Sequence, residues 1–376
     1  MISCGEPSGD LYAGALATEL LRLDPSTTIV GLGSRRLRDA GAALTANFSG
    51  LSVTGLLEVA RLLPRTYSTY RALVREAKAR RPDVFVAIDF PDFNFVLARA
   101  IRKLGVPVVY YISPQLWAWR RGRMKTMRRI ADRVLVIFPF EEAIYRDAGI
   151  PVQWVGHPLL DITPLPAPRA ECLAGLGLDS SRPVVALLPG SRRNEVDAIL
   201  PDLVRAASLI RREVAGVQFI VARAPHLNDS VFESLEGLGG GAAVVEGRTD
   251  DVLASADVAL VASGTVTVQA ALHECPMVVV YRLSSLTYRL GKPFVHVDTY
   301  AMANLVAGRR VVPELIQDDF TPERVAEEAL RLLTDPAQAA AVRRALRDVH
   351  ARLGTPGASH RAAESVREVA QANRHD

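Results

Sequence analysis

Cysteine is scarce in this chain. The three residues, Cys4, Cys172 and Cys275, form no CxxC pair and leave an odd thiol over. That excludes a disulfide-stapled scaffold and a cysteine zinc site, so reduced cytoplasmic thiols are expected. The seven histidines make no pair at metal-ligand spacing, so no metal is expected. Neither a GxSxG elbow nor a P-loop occurs. A run of about 18 apolar residues is missing too, which argues against a transmembrane helix. The opening Met1-Ile2-Ser3-Cys4 has no basic n-region, so no signal peptide is expected. It reads as the tail of a strand, shorter than the usual ~5 residues, so a natural start a few residues upstream is expected. Charge of one sign is not in large excess: the net charge is +4 and the pI about 9.1. That suits anionic ligands or a membrane surface and gives no case for nucleic acid. No repeat or low-complexity tract is present.

What is present is a chain of 376 residues, 49% hydrophobic and 23% charged, the composition of a packed globular protein of two domains. Short β-branched runs alternate with amphipathic stretches. Strands are expected at Thr28–Leu32, Val84–Ile88, Val106–Ile112, Arg133–Ile137 and Val152–Val155. Helices are expected at Leu11–Leu23, Pro64–Ala79 and Phe95–Leu104. Near-continuous apolar strands are the mark of a parallel sheet covered on both faces. Pro158, Pro164, Pro166 and Pro168 then crowd a stretch that can be neither helix nor interior strand. The pattern restarts with strands at Val184–Leu188, Val217–Ala222, Ala243–Val245, Val258–Ala262 and Met277–Tyr281. Helices are expected between them at Glu195–Val214, Asp250–Ala256 and Val266–His273, and at the end over Pro322–Thr334, Pro336–Arg352 and Ser359–Ala372. The expected domains are 1–160 and 171–345, with a Pro-rich linker at 161–170 and a C-terminal helix and tail at 346–376. Two doubly wound α/β halves would face a central cleft, with ligands outside the carboxyl ends of the strands.

Two turns in the second half suit phosphate. Leu188-Pro189-Gly190-Ser191-Arg192-Arg193 takes a buried strand into a basic helix start, and Ala262-Ser263-Gly264-Thr265 does the same without the charge. Glycine permits close approach, and helix N–H groups favour an anion; two well-capped helices are the plain alternative. Ser263 and Thr265 are natural N-caps. Gln269, one turn into the second helix, could reach a ribose. In the first half, Ala87-Ile88-Asp89-Phe90-Pro91-Asp92-Phe93-Asn94 ends a strand in acid. Asp92 or Asn94 fits a helix cap, which leaves Asp89 as the general-base candidate. Ser113-Pro114-Gln115-Leu116-Trp117-Ala118-Trp119-Arg120 puts two tryptophans ahead of a basic run to Arg133, as at a membrane interface or an amphiphile headgroup; core tryptophans beside a solvated helix are the plain alternative. The segment Leu56–Arg65 reads as a core helix or the wall of an acyl groove, and His157 as a packed hinge residue or a catalyst.

Together these blocks resemble the lipid-A-disaccharide synthase family of GT-B glycosyltransferases. The carrying segments are Gly5-Glu6-Pro7-Ser8-Gly9-Asp10, Asp89-Phe90-Pro91-Asp92-Phe93-Asn94, the Ser113–Arg120 block, Pro139-Phe140-Glu141 and Val155-Gly156-His157-Pro158. Pro189-Gly190-Ser191-Arg192 through Glu195, Ser263-Gly264-Thr265, Pro276–Arg282, and Asn304–Gly308 through Pro313-Glu314-Leu315 complete them in family order. The resemblance implies an inverting transfer from UDP-2,3-diacylglucosamine to 2,3-diacylglucosamine 1-phosphate, without metal or cofactor. The enzyme would work as a peripheral protein at the inner face of the cytoplasmic membrane, and a homodimer is compatible with it. Asp89 would be the base. Gly190, Ser191, Arg192, Glu195, Ser263, Gly264, Thr265, Gln269, Tyr281 and Arg282 would serve the nucleotide. Ser8, Gly9, Asp10, Asn94, Trp117, Trp119 and Asn304 would line the acceptor side and cleft. Three departures stand out: Gln269 where the family has Glu, Met302-Ala303-Asn304 where it has Leu-Pro-Asn, and the short first strand. Alternatives within the fold are a UDP-N-acetylglucosamine epimerase or a lipid-linked N-acetylglucosamine transferase; a non-catalytic nucleotide-sugar binder is a third.

Overall fold

The computed structural model describes residues 1–48, 56–114, 116, 121–225, 227–239, 242–283 and 299–375. They fall into two compact units, Met1–Ile162 with Leu353–Asp376, and Thr163–Pro293 with Val297–Arg352.

The first unit carries strands β1 (Ile2–Ser3), β2 (Val30–Gly33), β3 (Ala43–Asn47), β4 (Phe85–Ile88), β5 (Val108–Tyr111), β6 (Arg133–Val136) and β7 (Val152–Trp154). They form one parallel sheet in the order β3-β2-β1-β4-β5-β6-β7. Its helices are α1 (Pro7–Leu23), α2 (Arg35–Asp39), α3 (Leu56–Arg80), α4 (Pro91–Arg102), α5 (Met124–Ile130), α6 (Pro139–Asp147) and α7 (Leu159–Ile162). β4 and β5 are buried along their whole length because helices cover both faces, which is why their sequences do not alternate. Although α3 was expected to open at Pro64, it begins at Leu56 and runs through that proline. Proline removes one helical hydrogen bond but does not forbid the helix from continuing.

The second unit carries β8 (Val184–Leu188), β9 (Gln218–Arg223), β10 (Ala242–Glu246), β11 (Val258–Ala262), β12 (Met277–Tyr281) and β13 (Glu314–Ile316). They too are all parallel, in the order β10-β9-β8-β11-β12-β13. Its helices are α8 (Arg169–Gly175), α9 (Arg193–Glu213), α10 (Thr249–Ser255), α11 (Val266–Leu272), α12 (Met302–Ala307), α13 (Pro322–Thr334) and α14 (Pro336–Arg352). Pro164, Pro166 and Pro168 fall between α7 and α8. The core joins Val185, Leu187, Phe219 and Leu260 of the strands to Leu200, Leu203 and Ile210 of α9 and Val325 of α13. Each such side chain contributes roughly 1.5–3 kcal/mol on burial.

The final helix, α15 (Ala358–His375), belongs to the first unit and packs on α1. Asp161 caps it, accepting from the N–H of Gly357 at 2.5 Å and of Ser359 at 2.7 Å. No helix among the described residues is long and apolar enough to cross a membrane.

Each sheet grows outward from its first strand in one direction, then crosses back to grow in the other. The reversal lies between β1 and β4 in the first sheet and between β8 and β11 in the second. There the helices leaving the two strand ends diverge, opening a crevice at the carboxyl edge.

Candidate functional site

Asp89 stands where β4 ends, beside the reversal point of the first sheet. Its backbone and that of Phe90 are left-handed, with φ of 44° and 48°, and Ile112 at the end of β5 has φ of 56°. Such conformations cost about 1–3 kcal/mol each in residues other than glycine. They persist because surrounding groups hold them. The Asp89 N–H donates to the Tyr111 carbonyl at 3.3 Å. The Asp89 carbonyl accepts from the Tyr110 hydroxyl at 2.8 Å and from Asn94 Nδ2 at 2.9 Å. Burial first, and the charge of Asp89 second, raise the Tyr110 pKa, so the phenol stays a neutral donor.

Asn94 is fully buried and does not cap α4. Its Nδ2 also reaches the carbonyls of Ser3 and Ile88 at 3.2 Å each, and its Oδ1 accepts from Ser3 Oγ at 2.7 Å. It ties β1 to β4 from beneath. Asp92 does not cap the helix either; it pairs with Arg123 at 2.5 Å. The residue at the cap position is Phe90, whose left-handed backbone makes the turn without a side-chain bond.

The turn after β1 interlocks with the turn after β4. A Cβ on Gly5 would lie 2.2 Å from the Phe90 ring, so only glycine leaves that ring its place. Ser8 and Gly9 fall in the first turn of α1, beside this junction. Asp10 is buried and turned the other way. It accepts from the N–H groups of Ser34 at 2.6 Å, Arg36 at 2.8 Å and Leu37 at 3.3 Å, at the start of α2. His157 is buried against the rings of Tyr12 and Phe138, and its Nδ1 accepts from the Leu159 N–H at 3.1 Å. Burial lowers its pKa to about 3, so the ring is neutral. Gln115, Trp117, Trp119 and Arg120 lie outside the described residues.

In the second unit the two phosphate-type turns leave β8 and β11, the neighbouring strands that flank the reversal point. They differ in one respect that the sequence does not reveal. At the Gly190 turn, Glu195 folds back. Its Oε2 accepts from the N–H groups of Ser191 and Arg192 at 3.3 Å each, and its Oε1 pairs with Arg192 Nη1 at 2.8 Å. Gly190 has φ of 123°, and a Cβ there would lie 2.9 Å from the Glu195 carboxylate. The turn thus already holds an anion of its own.

Among the described residues, the Ser263-Gly264-Thr265 turn is open. Among the described residues none accepts from the N–H of Gly264 or Thr265. Gly264 has φ of 154°, and no described atom lies within 4 Å of where a Cβ would stand. Thr267 Oγ1 donates to the Gly264 carbonyl at 2.8 Å, and Ser263 Oγ to the Tyr300 carbonyl at 3.3 Å. Neither Ser263 nor Thr265 makes the side-chain cap expected of it; Ser263 instead braces the turn against the chain before α12.

Gln269 Nε2 donates to Asp250 Oδ1 at 3.3 Å, and His273 Nε2 shares the same oxygen at 2.9 Å. Tyr281 ends β12. Arg282 turns toward α9: its guanidinium lies 4.4 Å over the Phe320 ring and pairs with Asp202. There it lines a surface groove of about 630 Å³ with Arg205, Ser208 and Arg212. Asn304 is fully buried. Its Oδ1 accepts from Val311 and Val312, and its Nδ2 donates to Glu314 at 2.6 Å. Sequence reasoning assigned no role to Glu314, Tyr300 or Asp250. Glu314 was singled out only as part of the Pro313-Glu314-Leu315 segment of the family resemblance.

A family model described as lipid-A-disaccharide synthetase matches residues 1–369. The chain is 44% identical over 373 residues to the lipid-A-disaccharide synthase of Geobacter sulfurreducens, covering 98% of this chain and 96% of that one. It is 42% identical over 370 residues to that of Myxococcus xanthus, covering 98% and 97%. Among solved structures, it superposes on UDP-GlcNAc 2-epimerase from Neisseria meningitidis with a TM-score of 0.67 at 13% identity, over 98% of both chains. It superposes on the calicheamicin glycosyltransferase CalG4 with a TM-score of 0.61 at 18% identity, over 98% of this chain and 96% of that one. At such low identity these likenesses carry the fold alone, which is GT-B.

Proposed function

The chain belongs to the lipid-A-disaccharide synthase family and is a glycosyltransferase of lipid A biosynthesis; from that premise we propose that it joins UDP-2,3-diacylglucosamine to 2,3-diacylglucosamine 1-phosphate. The observation that carries the mechanism is the place of Asp89, at the end of β4 in a backbone its neighbours hold fixed. The acceptor 6-hydroxyl gives its proton to the Asp89 carboxylate. Its oxygen bonds to the anomeric carbon as the bond from that carbon to the diphosphate breaks. The electron pair leaves on UDP, and the configuration inverts.

The N–H groups of Gly264 and Thr265 would receive the diphosphate. Preorganised donors aimed at developing charge are worth roughly 3–4 kcal/mol each. At the other turn the cation Arg192 would make the contact, since Glu195 occupies the backbone donors. Ser8 and Gly9 would face the acceptor. Trp117 and Trp119, with Arg120, Arg121 and Arg123, would bring the protein to an anionic membrane surface.

The test is turnover of the two acylated glucosamine substrates, followed as disaccharide by mass spectrometry. Asp89→Asn keeps the left-handed backbone and removes the base. A drop of about 10²–10⁴-fold is expected; wild-type turnover in this variant would sink the base assignment. Flotation with anionic vesicles should fall when Arg120, Arg121 and Arg123 become Ala, and unchanged flotation would dismiss the membrane contact.

A further inference from the structure

Glu314 opens β13 at the edge of the second sheet, yet its carboxylate points to the chain before α12. Oε2 accepts from the Tyr300 N–H at 2.9 Å, and Oε1 from the Ala301 N–H at 2.9 Å. Asn304 Nδ2 donates to the same Oε1 at 2.6 Å. Asn304 is itself fixed by Val311 and Val312, so its amide has a single orientation. Tyr300 is therefore gripped at its N–H by Glu314, and its carbonyl takes the Ser263 hydroxyl at 3.3 Å. Ser263 is the first residue of the open turn after β11. One unbroken chain of hydrogen bonds runs from Asn304 through Glu314 and the Tyr300 peptide to the turn.

We infer that Glu314 is a positioning residue for the nucleotide diphosphate: it sets the Tyr300 peptide, which sets Ser263 and so aims the N–H groups of Gly264 and Thr265. The inference rests on the reading of that turn as the diphosphate site. The physical case is one of preorganisation. A turn built on Gly264, with φ of 154°, has no side chain of its own at that residue to fix it. Donors that must reorient on binding lose part of their value, and a rigid brace restores it. Three donors converging on one carboxylate make charge-assisted bonds, stronger than neutral ones. The pairing of β13 with β12, Glu314 beside Val279, anchors this brace to the sheet. β13 is already held by its ladder to β12 and by the burial of Leu315 in the core, so the bonds of Glu314 are not needed to keep the strand in place.

The test is UDP affinity by calorimetry in Gly264→Val, Ser263→Ala, Glu314→Gln and the Ser263→Ala/Glu314→Gln double variant, each with a thermal midpoint. Gly264→Val fills the open face of the turn and tests the underlying reading. Unchanged UDP affinity there overturns that reading and this inference with it. With the reading intact, Glu314→Gln should weaken UDP by about tenfold, the loss of roughly one charge-assisted hydrogen bond. Because it acts through Ser263, the double variant should be no weaker than the weaker single one. Loss of edge-strand stability alone would lower the thermal midpoint but leave the two substitutions additive. Additive losses, or wild-type affinity in Glu314→Gln, overturn the positioning role while leaving the turn as the diphosphate site.

Discussion

The side-chain amide of Asn94 donates to the carbonyl of Asp89 at 2.9 Å and holds the end of β4 from inside the fold. The same amide reaches Ser3 and Ile88, so one buried residue fixes both strands at the reversal point. Asn94→Leu keeps the volume but leaves Ser3 Oγ and these carbonyls short of a partner. Unfolding free energy should drop by about 2–4 kcal/mol. Turnover should fall with it, while the KM for the UDP-sugar holds, because that ligand is proposed to bind the other unit. Urea titration with steady-state kinetics checks both, and a stable, fully active variant contradicts the assignment.

Asp89 should be a site where stability and activity oppose each other. Its φ of 44° is strained for aspartate and free for glycine. Asp89→Gly is expected to gain up to about 1 kcal/mol of stability and to lose nearly all turnover. A variant that is both inactive and less stable would mean that the carboxylate itself helps to hold the fold.

Glu195 places a negative charge where the Gly190 turn would otherwise receive phosphate. Glu195→Gln keeps the acceptor oxygen and removes the charge. UDP should bind about threefold to tenfold tighter through relief of that repulsion. Stability should fall by about 0.5–1 kcal/mol as the bond back to the cap position weakens. Calorimetry at low and high salt checks it, since the gain should shrink as salt screens the repulsion. Weaker binding in this variant would show that the carboxylate serves the ligand directly.

The two sheets were legible because their inner strands are continuous apolar runs: Val184–Leu188, Val258–Ala262 and Met277–Tyr281 have the bounds that the hydrophobic pattern gives. Two of the edge strands, β7 and β10, were legible as well, but β3 and β13 were not. Ala43–Asn47 is half exposed and carries little β-branched signal, and Glu314–Ile316 has only three residues. The turns at Gly190, Gly264 and Asp89 could be read because a strand running into glycine or acid is a local pattern. What escaped was the direction of polar side chains. Asn94, Asp10 and Asn304 are buried braces, and Gln269 points to Asp250. Those partners are far apart in the chain or depend on which helix lies alongside. The difference between the occupied Gly190 turn and the open Gly264 turn likewise depends on Glu195 folding back, which the spacing from the cap allows but which an arginine, not a serine or threonine, at the cap does not announce.

His157 makes stability depend on pH in a defined direction. Burial lowers its pKa from the usual 6.5 to about 3 in the folded protein. The unfolded chain therefore takes up a proton that the folded one refuses. Its contribution is fully present above pH 6.5 and is lost progressively as pH falls from there toward 3. At pH 5 the loss should be about 2 kcal/mol relative to pH 7. His157→Asn offers an oxygen to the Leu159 N–H and cannot titrate. It gives up the contacts with Tyr12 and Phe138, a cost that does not depend on pH. Urea midpoints of both proteins at pH 7 and pH 5 isolate the histidine, because every other titrating group is common to the pair. The wild type should lose more than the variant over that interval. Parallel losses would mean that the ring accepts its proton in the folded state, and that its packing between Tyr12 and Phe138 opens to admit it.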